Sequence, residues 1–361
     1  MNHSSTKIPQ GYQEILQRTQ LGKLCGSNFL FRDRYKILRI LGRGGFGVTF
    51  LAKDVVLPGK PLCVIKQLCP NKTPNSKSWQ VACDRFEKEA KTLGQLGSHS
   101  QIPMLLNYFQ TNGEFYLVQE YVRGYTLAQE VRHTGVKSEA AVKQFLQELL
   151  SVLRYIHKNH VIHRDIKPQN LIRCQDDGRL VLIDFGAVKE ELIYASQSAI
   201  NHISSTNFIG TVGFAPPEQF SLRPVYASDI YAVGVTCLYL LTGKIPLEFE
   251  HDTKTGEIFW QKEVRVSENF AKILGKMLKI SIQERFHSVD DVIWALDMES
   301  SLPSLMSCLT NQPSKHDTRK MNQQTGQKYE PPVAKTATAI RKWKAKLKAR
   351  EPQDKLKCFS V

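Results

Sequence analysis

The sequence has no apolar run long enough to cross a membrane as a helix. Its longest nearly apolar stretch extends from Tyr231 to Leu241 and has 11 residues, about half of the ~20 that a membrane span requires. The first residues, Met1 to Ser5, include no apolar core of a secretory signal. We therefore expect a soluble protein with a cytoplasmic location.

The cysteines lack the spacing of a zinc site or of a disulfide framework. Zinc needs ligands clustered at short spacings, and secreted disulfide scaffolds are usually small and rich in cysteine. The eight cysteines are instead scattered, without a Cys-x-x-Cys pair, at positions 25, 63, 69, 83, 174, 237, 308 and 358. This distribution favours reduced thiols and a cytoplasmic location.

Acidic residues are scarce relative to basic ones. The 361 residues include 49 Lys and Arg against 34 Asp and Glu, a formal net charge of +15. Such an excess favours nucleic acid, anionic lipid, or acidic and phosphorylated proteins as partners. Nearly half of it lies in residues 335–361, which carry nine basic and two acidic residues. An apolar content of 42% nevertheless excludes wholesale disorder.

The apolar pattern predicts a mostly β unit with one helix, followed by a mainly α unit. Residues 1–34 show weak periodicity, and we expect a partly ordered leader there. Period-2 and turn signals predict strands over 35–41, 48–52, 62–66, 104–109 and 115–121. Steps of three and four between apolar residues predict helices over 79–96, 142–156, 227–241, 270–278 and 289–298.

Residues 303–361 lose the apolar periodicity and gain Ser, Thr, Gln and Lys, so we expect a basic, disordered tail. Within it, Ile340, Trp343 and Leu347 recur at spacings that give a basic helix one apolar face. That pattern suits peripheral contact with an anionic membrane or with an acidic partner. The alternative is a solvated tail without a partner.

A glycine-rich loop joins the first two predicted strands, with the sequence Gly42-Arg43-Gly44-Gly45-Phe46-Gly47. Glycines let a backbone approach phosphates closely, as dinucleotide-binding folds and kinases both require. A dinucleotide-binding loop opens a helix, whereas Val48 here begins a strand. The pattern therefore favours a hairpin lid over a nucleotide, and the alternative is a turn without a ligand.

Lys66 ends the apolar run Cys63-Val64-Ile65 on the next predicted strand. An ammonium in such a position is costly unless it meets anions. Phosphate oxygens would serve, and Glu89, 23 residues further on in the predicted helix, would supply a carboxylate that holds the side chain. A solvated surface lysine is the alternative.

The most specific pattern consists of His163-Arg164-Asp165-Ile166-Lys167-Pro168-Gln169-Asn170 and, further on, Asp184-Phe185-Gly186. Phosphoryl transfer needs a group that orients the attacking hydroxyl, oxygen ligands for Mg²⁺ and a cation near the transferred group. Asp165 would provide the first, and Asn170 and Asp184 the second. Lys167 would provide the third. The alternative, a capped loop with structural charges, rarely shows these residue types in this order.

These residues, in this order, resemble the protein kinases over 35–302. The resemblance implies the α+β, two-lobed protein kinase fold, with a β-rich N-lobe over 35–121 and a mainly α C-lobe over 122–302. It implies ATP and Mg²⁺ as cofactors. Pro216-Pro217-Glu218 stands where Ala-Pro-Glu is usual, Asp229 matches a buried aspartate, and Arg285 matches the arginine that pairs with Glu218.

The resemblance also implies the site residues. Those expected to bind ATP are Leu41, Gly42, Arg43, Gly44, Gly45, Phe46, Gly47, Val48, Thr49, Val64, Lys66, Gln119, Glu120, Val122 and Ile172. Those expected to act in catalysis are Asp165, Lys167, Lys66 and Glu89, and those expected to bind the metal are Asn170 and Asp184. Thr49 departs from the usual Val that packs on adenine, and Gln119 is an unusual polar residue at the pocket's gate.

Individual residues indicate which class of kinase the sequence resembles. Lys167, two residues after Asp165, follows the serine/threonine pattern, and Thr211 stands where such kinases contact the substrate hydroxyl. Arg164 suggests control by a phosphate in the activation segment, with Ser204, Ser205 and Thr206 as candidates. Segments such as 32–35 and 214–219 look like the bacterial kinases typical of cyanobacteria.

The resemblance therefore implies a bacterial serine/threonine kinase that phosphorylates protein substrates and itself. A catalytically silent, kinase-like scaffold is the alternative, although a scaffold needs none of Lys66, Asp165 and Asp184. A nucleic-acid-binding role rests on the basic tail alone. With no RNA-binding platform or zinc finger in the sequence, no specific nucleic acid partner is expected.

Overall fold

The computed structural model describes residues 17, 19–43, 47–68, 77–186, 189–190, 213–221 and 223–310. Its first compact unit ends at Ser304. Within the described ranges, no helix combines the length and the apolar character that a membrane span would need.

A six-stranded antiparallel sheet, in the order β1-β2-β3-β4-β6-β5, forms the first half of this unit. Its strands are β1 (Leu30–Phe31), β2 (Tyr35–Arg43), β3 (Gly47–Asp54), β4 (Leu62–Leu68), β5 (Leu105–Thr111) and β6 (Glu114–Glu120). All five strands predicted in this half are present. The predicted helix is also present as Lys77–Leu96 (here α2), and it buries Phe86, Ala90 and Leu93.

The N-lobe begins earlier than the sequence predicts. The Thr19 hydroxyl accepts the amide N–H of Gly22 at 3.0 Å and caps a short helix, α1 (Gln20–Leu24). Leu21 from α1 and Phe31 from β1 are buried in the core of the sheet. The ordered part of the predicted leader thus includes α1 and β1, which the sequence does not predict individually because a five-residue helix and a two-residue strand are too short to produce a periodic signal.

Buried polar contacts fasten α1 to the sheet. The amide N–H of Leu21 donates to Gln67 Oε1 at 3.3 Å, and Gln67 Nε2 donates to Glu114 at 3.0 Å. Tyr116 Oη donates to Gln20 Oε1 at 2.9 Å. Gln67 is fully buried on β4, next to Lys66. The strand that carries Lys66 is thus held from its other face by the segment before the first predicted strand.

The second half is mainly helical. Its helices are α3 (Leu127–Thr134), α4 (Glu139–Lys158), α5 (Pro217–Phe220), α6 (Tyr226–Thr242), α7 (Glu268–Met277) and α8 (Val289–Thr310). Helix α6 is buried on nearly all sides and forms the centre of this half. All four helices predicted here are present, and α8 continues past residue 302, so the tail predicted from 303 begins within a helix. Residues 311–361 lie outside the described ranges.

Short strands flank the motifs that contain Asn170 and Asp184. The strands β7 (Gly124–Thr126), β9 (Leu171–Cys174) and β10 (Leu180–Leu182) form a small sheet, and β8 (Val161–Ile162) pairs with β11 (Lys189–Glu190). Asn170 directly precedes β9, and Ile183 directly follows β10. The amide N–H of Ile183 donates to the backbone carbonyl of Asn170 at 2.9 Å. The antiparallel pairing therefore brings Asn170 and Asp184 to the same end of one hairpin.

Candidate active site

Lys66 connects three elements that are distant in sequence. Its Nζ donates to Glu89 on α2 and, at 3.0 Å, to Oδ1 of Asp184, which follows β10. The Lys66 and Glu89 side chains are 16% and 5% exposed, whereas Asp184 is 46% exposed. The ammonium is therefore largely enclosed, whereas the Asp184 side chain is partly accessible.

The charges of this cluster support one another. The ammonium of Lys66 lowers the pKa of Asp184 below its ordinary value, so this carboxylate is ionised at neutral pH. Burial favours the neutral amine, but Asp184 and Glu89 outweigh that effect and raise the pKa of Lys66. Burial raises the pKa of Glu89. The cluster thus keeps a fixed cation beside an ionised, accessible carboxylate.

The catalytic-loop residues predicted from the sequence also converge. Oδ2 of Asp165 accepts from Lys167 Nζ at 2.7 Å and from Asn170 Nδ2 at 2.9 Å. Asn170 Nδ2 also donates to the backbone carbonyl of Asp165 at 2.8 Å. Because its nitrogen is committed to Asp165, the amide oxygen of Asn170 is the atom available to a metal.

The donor set fits Mg²⁺. This ion prefers oxygen ligands, binds through one or two protein groups and keeps waters or phosphate oxygens on its other positions. Asp184 offers a carboxylate ionised at neutral pH, and Asn170 offers an amide oxygen from the same end of the β9–β10 hairpin. These two residues would hold the metal, as the sequence predicts.

The buried carboxylate of Asp229 holds the catalytic loop. Its two oxygens accept the backbone N–H groups of His163 and Arg164, each at 2.9 Å, and one oxygen lies 2.9 Å from Nε2 of His157. Burial alone would raise the pKa of Asp229, but the His157 contact and the backbone donors lower it. His157 has no counterpart in the sequence motifs, and only its place on the helix before the catalytic loop points to it.

Two residues of the site have strained backbones. Arg164 and Asp184 have φ angles of 70° and 69°, in the left-handed region that costs a residue other than glycine on the order of 1–3 kcal/mol. The Asp229 carboxylate accepts from the amide N–H of Arg164, and the Lys66 ammonium donates to the carboxylate of Asp184. The strain persists at these two positions because strong partners fix them.

Glu218 and Arg285 form the buried pair that the sequence predicts, with Arg285 Nη1 2.7 Å from Glu218 Oε1. The arginine side chain is fully buried. Its remaining donors are satisfied by the backbone carbonyls of Ala227, Lys279 and Ile280. This pair anchors α5, which directly follows the activation segment in sequence, to the helical core.

The described residues expected to bind ATP lie on adjoining strands and at the strand ends. Thr49 is the register partner of Lys66, and Val64 is the partner of Gln119. A side chain at Gly47 would meet the carbonyl oxygen of Gln67 at 2.3 Å, so only glycine fits there. The others with described positions are Leu41, Gly42 and Arg43 on β2, Val48 on β3, Glu120 at the end of β6, Val122 after that strand, and Ile172 on β9. Gly44, Gly45, Phe46, Ser204, Ser205, Thr206 and Thr211 lie outside the described residues.

Arg164 is buried beside a second cation, which belongs to none of the sequence motifs. Burial, together with the charge of Arg85 on α2, lowers the pKa of Arg164 to about 10. Nε of Arg164 is buried and has no hydrogen-bond partner among the described residues. The helical spacing of four between Arg85 and Glu89 is the signal that places both on one face of α2.

Comparison with known proteins identifies the family. Residues 35–296 match the protein kinase domain, so the chain belongs to the protein kinase family and the two-lobed fold predicted from the sequence is confirmed.

Several of the similar relatives are cyanobacterial. The chain is 50% identical over 296 residues to serine/threonine-protein kinase B of Synechocystis, an alignment that covers 81% of this chain and 51% of the relative. It is 45% identical over 271 residues to serine/threonine-protein kinase PknA of Nostoc, covering 74% and 48%. It is also 45% identical over 266 residues to serine/threonine-protein kinase D of Synechocystis, covering 73% and 52%. The predicted resemblance to cyanobacterial serine/threonine kinases is confirmed, and the chain spans about half the length of these relatives.

The anchoring role of Asp229 predicts a stability effect with a defined pH dependence. Asp229→Asn should lower the free energy of unfolding by about 3 kcal/mol at neutral pH, because a buried, fully bonded charge is lost. Folded Asp229 has a pKa below the ordinary value of about 4, so its stabilisation is complete above that value and is lost as pH falls through the folded pKa. In urea unfolding, the difference in free energy of unfolding between the wild type and Asp229→Asn should therefore be at least as large at about pH 5.5 as at about pH 7.

The matched control is Asp290→Asn, which removes the carboxylate of an exposed ion pair with Arg154. It should change stability by less than ~1 kcal/mol. Equal effects of the two substitutions, or a difference at Asp229 that vanishes by about pH 5.5, would contradict the anchoring role.

Proposed function

We propose that this chain is a serine/threonine protein kinase that transfers the γ-phosphoryl group of ATP to Ser and Thr hydroxyls of protein substrates and of itself, in bacterial signalling. The observation that carries the proposal is the 3.0 Å contact between Lys66 and Asp184, residues 118 apart in sequence. A scaffold without activity has no need of that contact, or of the Asp165–Lys167–Asn170 cluster.

ATP would bind between the hairpin of β2 and β3 above and the residues around β9 below. Lys66 would bind phosphate oxygens, since its ammonium is held in place by Glu89 and keeps its charge. Asp184 and Asn170 would hold Mg²⁺, which neutralises phosphate charge when bound. Val64 and Thr49 would contact the base from the sheet.

Asp165 is the residue that would orient the attacking hydroxyl. Its carboxylate accepts from Lys167 and Asn170 through Oδ2, and the carboxylate that they hold would also accept from the substrate hydroxyl. Lys167 would also contact the transferred phosphoryl group, whose charge spreads over its oxygens in the transition state. The serine/threonine class is supported by Lys167 and by the names of the similar relatives.

Activity would be controlled by phosphorylation of the activation segment, at Ser204, Ser205 or Thr206. Arg164 and Arg85 support this proposal, because two neighbouring guanidinium groups favour a doubly charged anion between or beside them. The backbone of Arg164 also belongs to the catalytic loop, so a phosphate bound there would act next to Asp165.

A labelling experiment tests the proposed activity. With γ-labelled ATP and Mg²⁺, the purified protein should label itself or a generic protein substrate on Ser and Thr. Asp184→Ala should abolish the label, because the ionised metal-binding carboxylate is lost. Mass spectrometry of the labelled chain then tests Ser204, Ser205 and Thr206.

The control is Asp177→Ala, which removes an exposed carboxylate paired with Arg179 and should leave labelling unchanged. Undiminished labelling by Asp184→Ala would point to a contaminating kinase. A wild-type protein that binds ATP but labels nothing would favour the scaffold.

We also propose a cytoplasmic location with peripheral membrane contact through residues 335–361. Their net charge of +7 supports attraction to anionic lipid, to which each basic residue near the surface adds about 1 kcal/mol. The full chain should sediment with vesicles containing phosphatidylserine, and a chain lacking 335–361 should not. Pure phosphatidylcholine vesicles serve as the control, and equal sedimentation of both chains would refute the membrane contact.

A further inference from the structure

We propose that Gln219 is a positioning residue for phosphoryl transfer, which holds the peptide bond immediately before Asp165. The inference rests on the proposed function and extends it to a residue that does not touch substrate. Gln219 lies on α5 and is 1% exposed. Its Nε2 donates to the backbone carbonyl of Arg164 at 2.6 Å, across 55 positions of sequence.

The contact completes a set of restraints on one strained residue. Arg164 has a left-handed φ of 70°. Its amide N–H is held by Asp229 at 2.9 Å and its carbonyl by Gln219 at 2.6 Å. The N–H on the far side of the same peptide bond, that of Asp165, lies 3.4 Å from Nδ1 of His163. The two peptide groups that flank Arg164 are therefore each held by a different helix, the first by α6 and the second by α5.

This restraint acts directly on the catalytic carboxylate. A peptide plane has few soft rotations, so turning the Arg164 carbonyl also turns the amide of Asp165. The carbonyl of Asp165 and its Oδ2 both accept from Asn170, so a turn at this point disturbs Asp165 and the metal-binding amide together. Without Gln219, the strained carbonyl would be buried with one fewer donor and would favour a relaxed orientation.

Position 219 requires a side chain of the length of glutamine that can donate a hydrogen bond. A carboxylate in place of the amide would set oxygen against oxygen at the Arg164 carbonyl. A methionine has similar length and no donor. Both substitutions keep the volume of the buried site, so they remove the hydrogen bond without opening a cavity.

Gln219 also joins the catalytic loop to a fixed point of the C-lobe. The preceding residue, Glu218, accepts from Arg285 at 2.7 Å and from the Ser228 hydroxyl at 2.8 Å. Helix α5 is thereby fixed to the core, and Gln219 extends from it to the loop. The end of the activation segment and the catalytic loop are thus aligned by two consecutive side chains.

The test compares Gln219→Met and Gln219→Glu with Gln144→Met in the full chain. Gln144 is an exposed helical glutamine that donates to the Glu148 carboxylate at 3.1 Å, so the control loses a glutamine hydrogen bond that lies outside the site. The rate of peptide phosphorylation is expressed per folded molecule, counted by stoichiometric binding of a fluorescent ATP analogue. This normalisation keeps the test valid when part of a variant unfolds.

We expect both Gln219 variants to lower kcat by roughly 10- to 100-fold, as misplacement of about 1 Å does, with the KM for ATP within about twofold of wild type. Gln219→Glu should be the slower of the two, and Gln144→Met should match wild type. Unchanged kcat in folded Gln219→Met, or a parallel change of kcat and KM, would overturn the positioning role. Inactivity of the wild type would instead refute the proposed function.

Discussion

The ammonium of Lys66 is the point on which the two halves of the active site depend. It contacts Glu89 from α2 and Asp184 from the C-lobe hairpin, and without it two carboxylates would lie close together with no cation between them. Like charges at that range disfavour ionisation of both. A single cation thus keeps Asp184 ionised and fixes α2 against the sheet. In the proposed function the same cation also binds phosphate oxygens.

The C-lobe supports the same site by fixing the backbone of the loop that carries Asp165. Asp229 and Gln219 fix the strained peptide groups beside Asp165, and the Glu218–Arg285 pair fixes the helix that carries Gln219. These groups are buried, so each hydrogen bond is costly to lose. The catalytic carboxylate therefore sits on a loop whose geometry is set by neighbouring helices. The loop's own conformational preferences would relax Arg164 out of the left-handed region.

Much of this architecture can be predicted from sequence because its signals are local and repeated. The strands around Lys66 and the helix through Glu89 follow from apolar period, and the ligand types of Asp165, Asn170 and Asp184 follow from their chemistry. Helix α1 and strand β1 escape prediction because they are too short to show a period, and they are held by tertiary contacts such as that of Leu21 with Gln67. The role of Gln219 cannot be predicted from the sequence because its partner is a backbone carbonyl 55 positions away. Every residue has such a carbonyl, so no residue type indicates the contact.

In the proposed function, Lys66, held by Glu89 and Asp184, supports phosphoryl transfer from ATP. Measuring kcat for peptide phosphorylation by Lys66→Met tests this role, with Lys60→Met as the control, because Lys60 is an exposed lysine in the loop before the same strand. We predict a loss of at least ~100-fold for Lys66→Met, as for other groups that stabilise charge in the transition state, and wild-type kcat for Lys60→Met. A Lys66→Met protein that transfers phosphate at the wild-type rate would contradict the account.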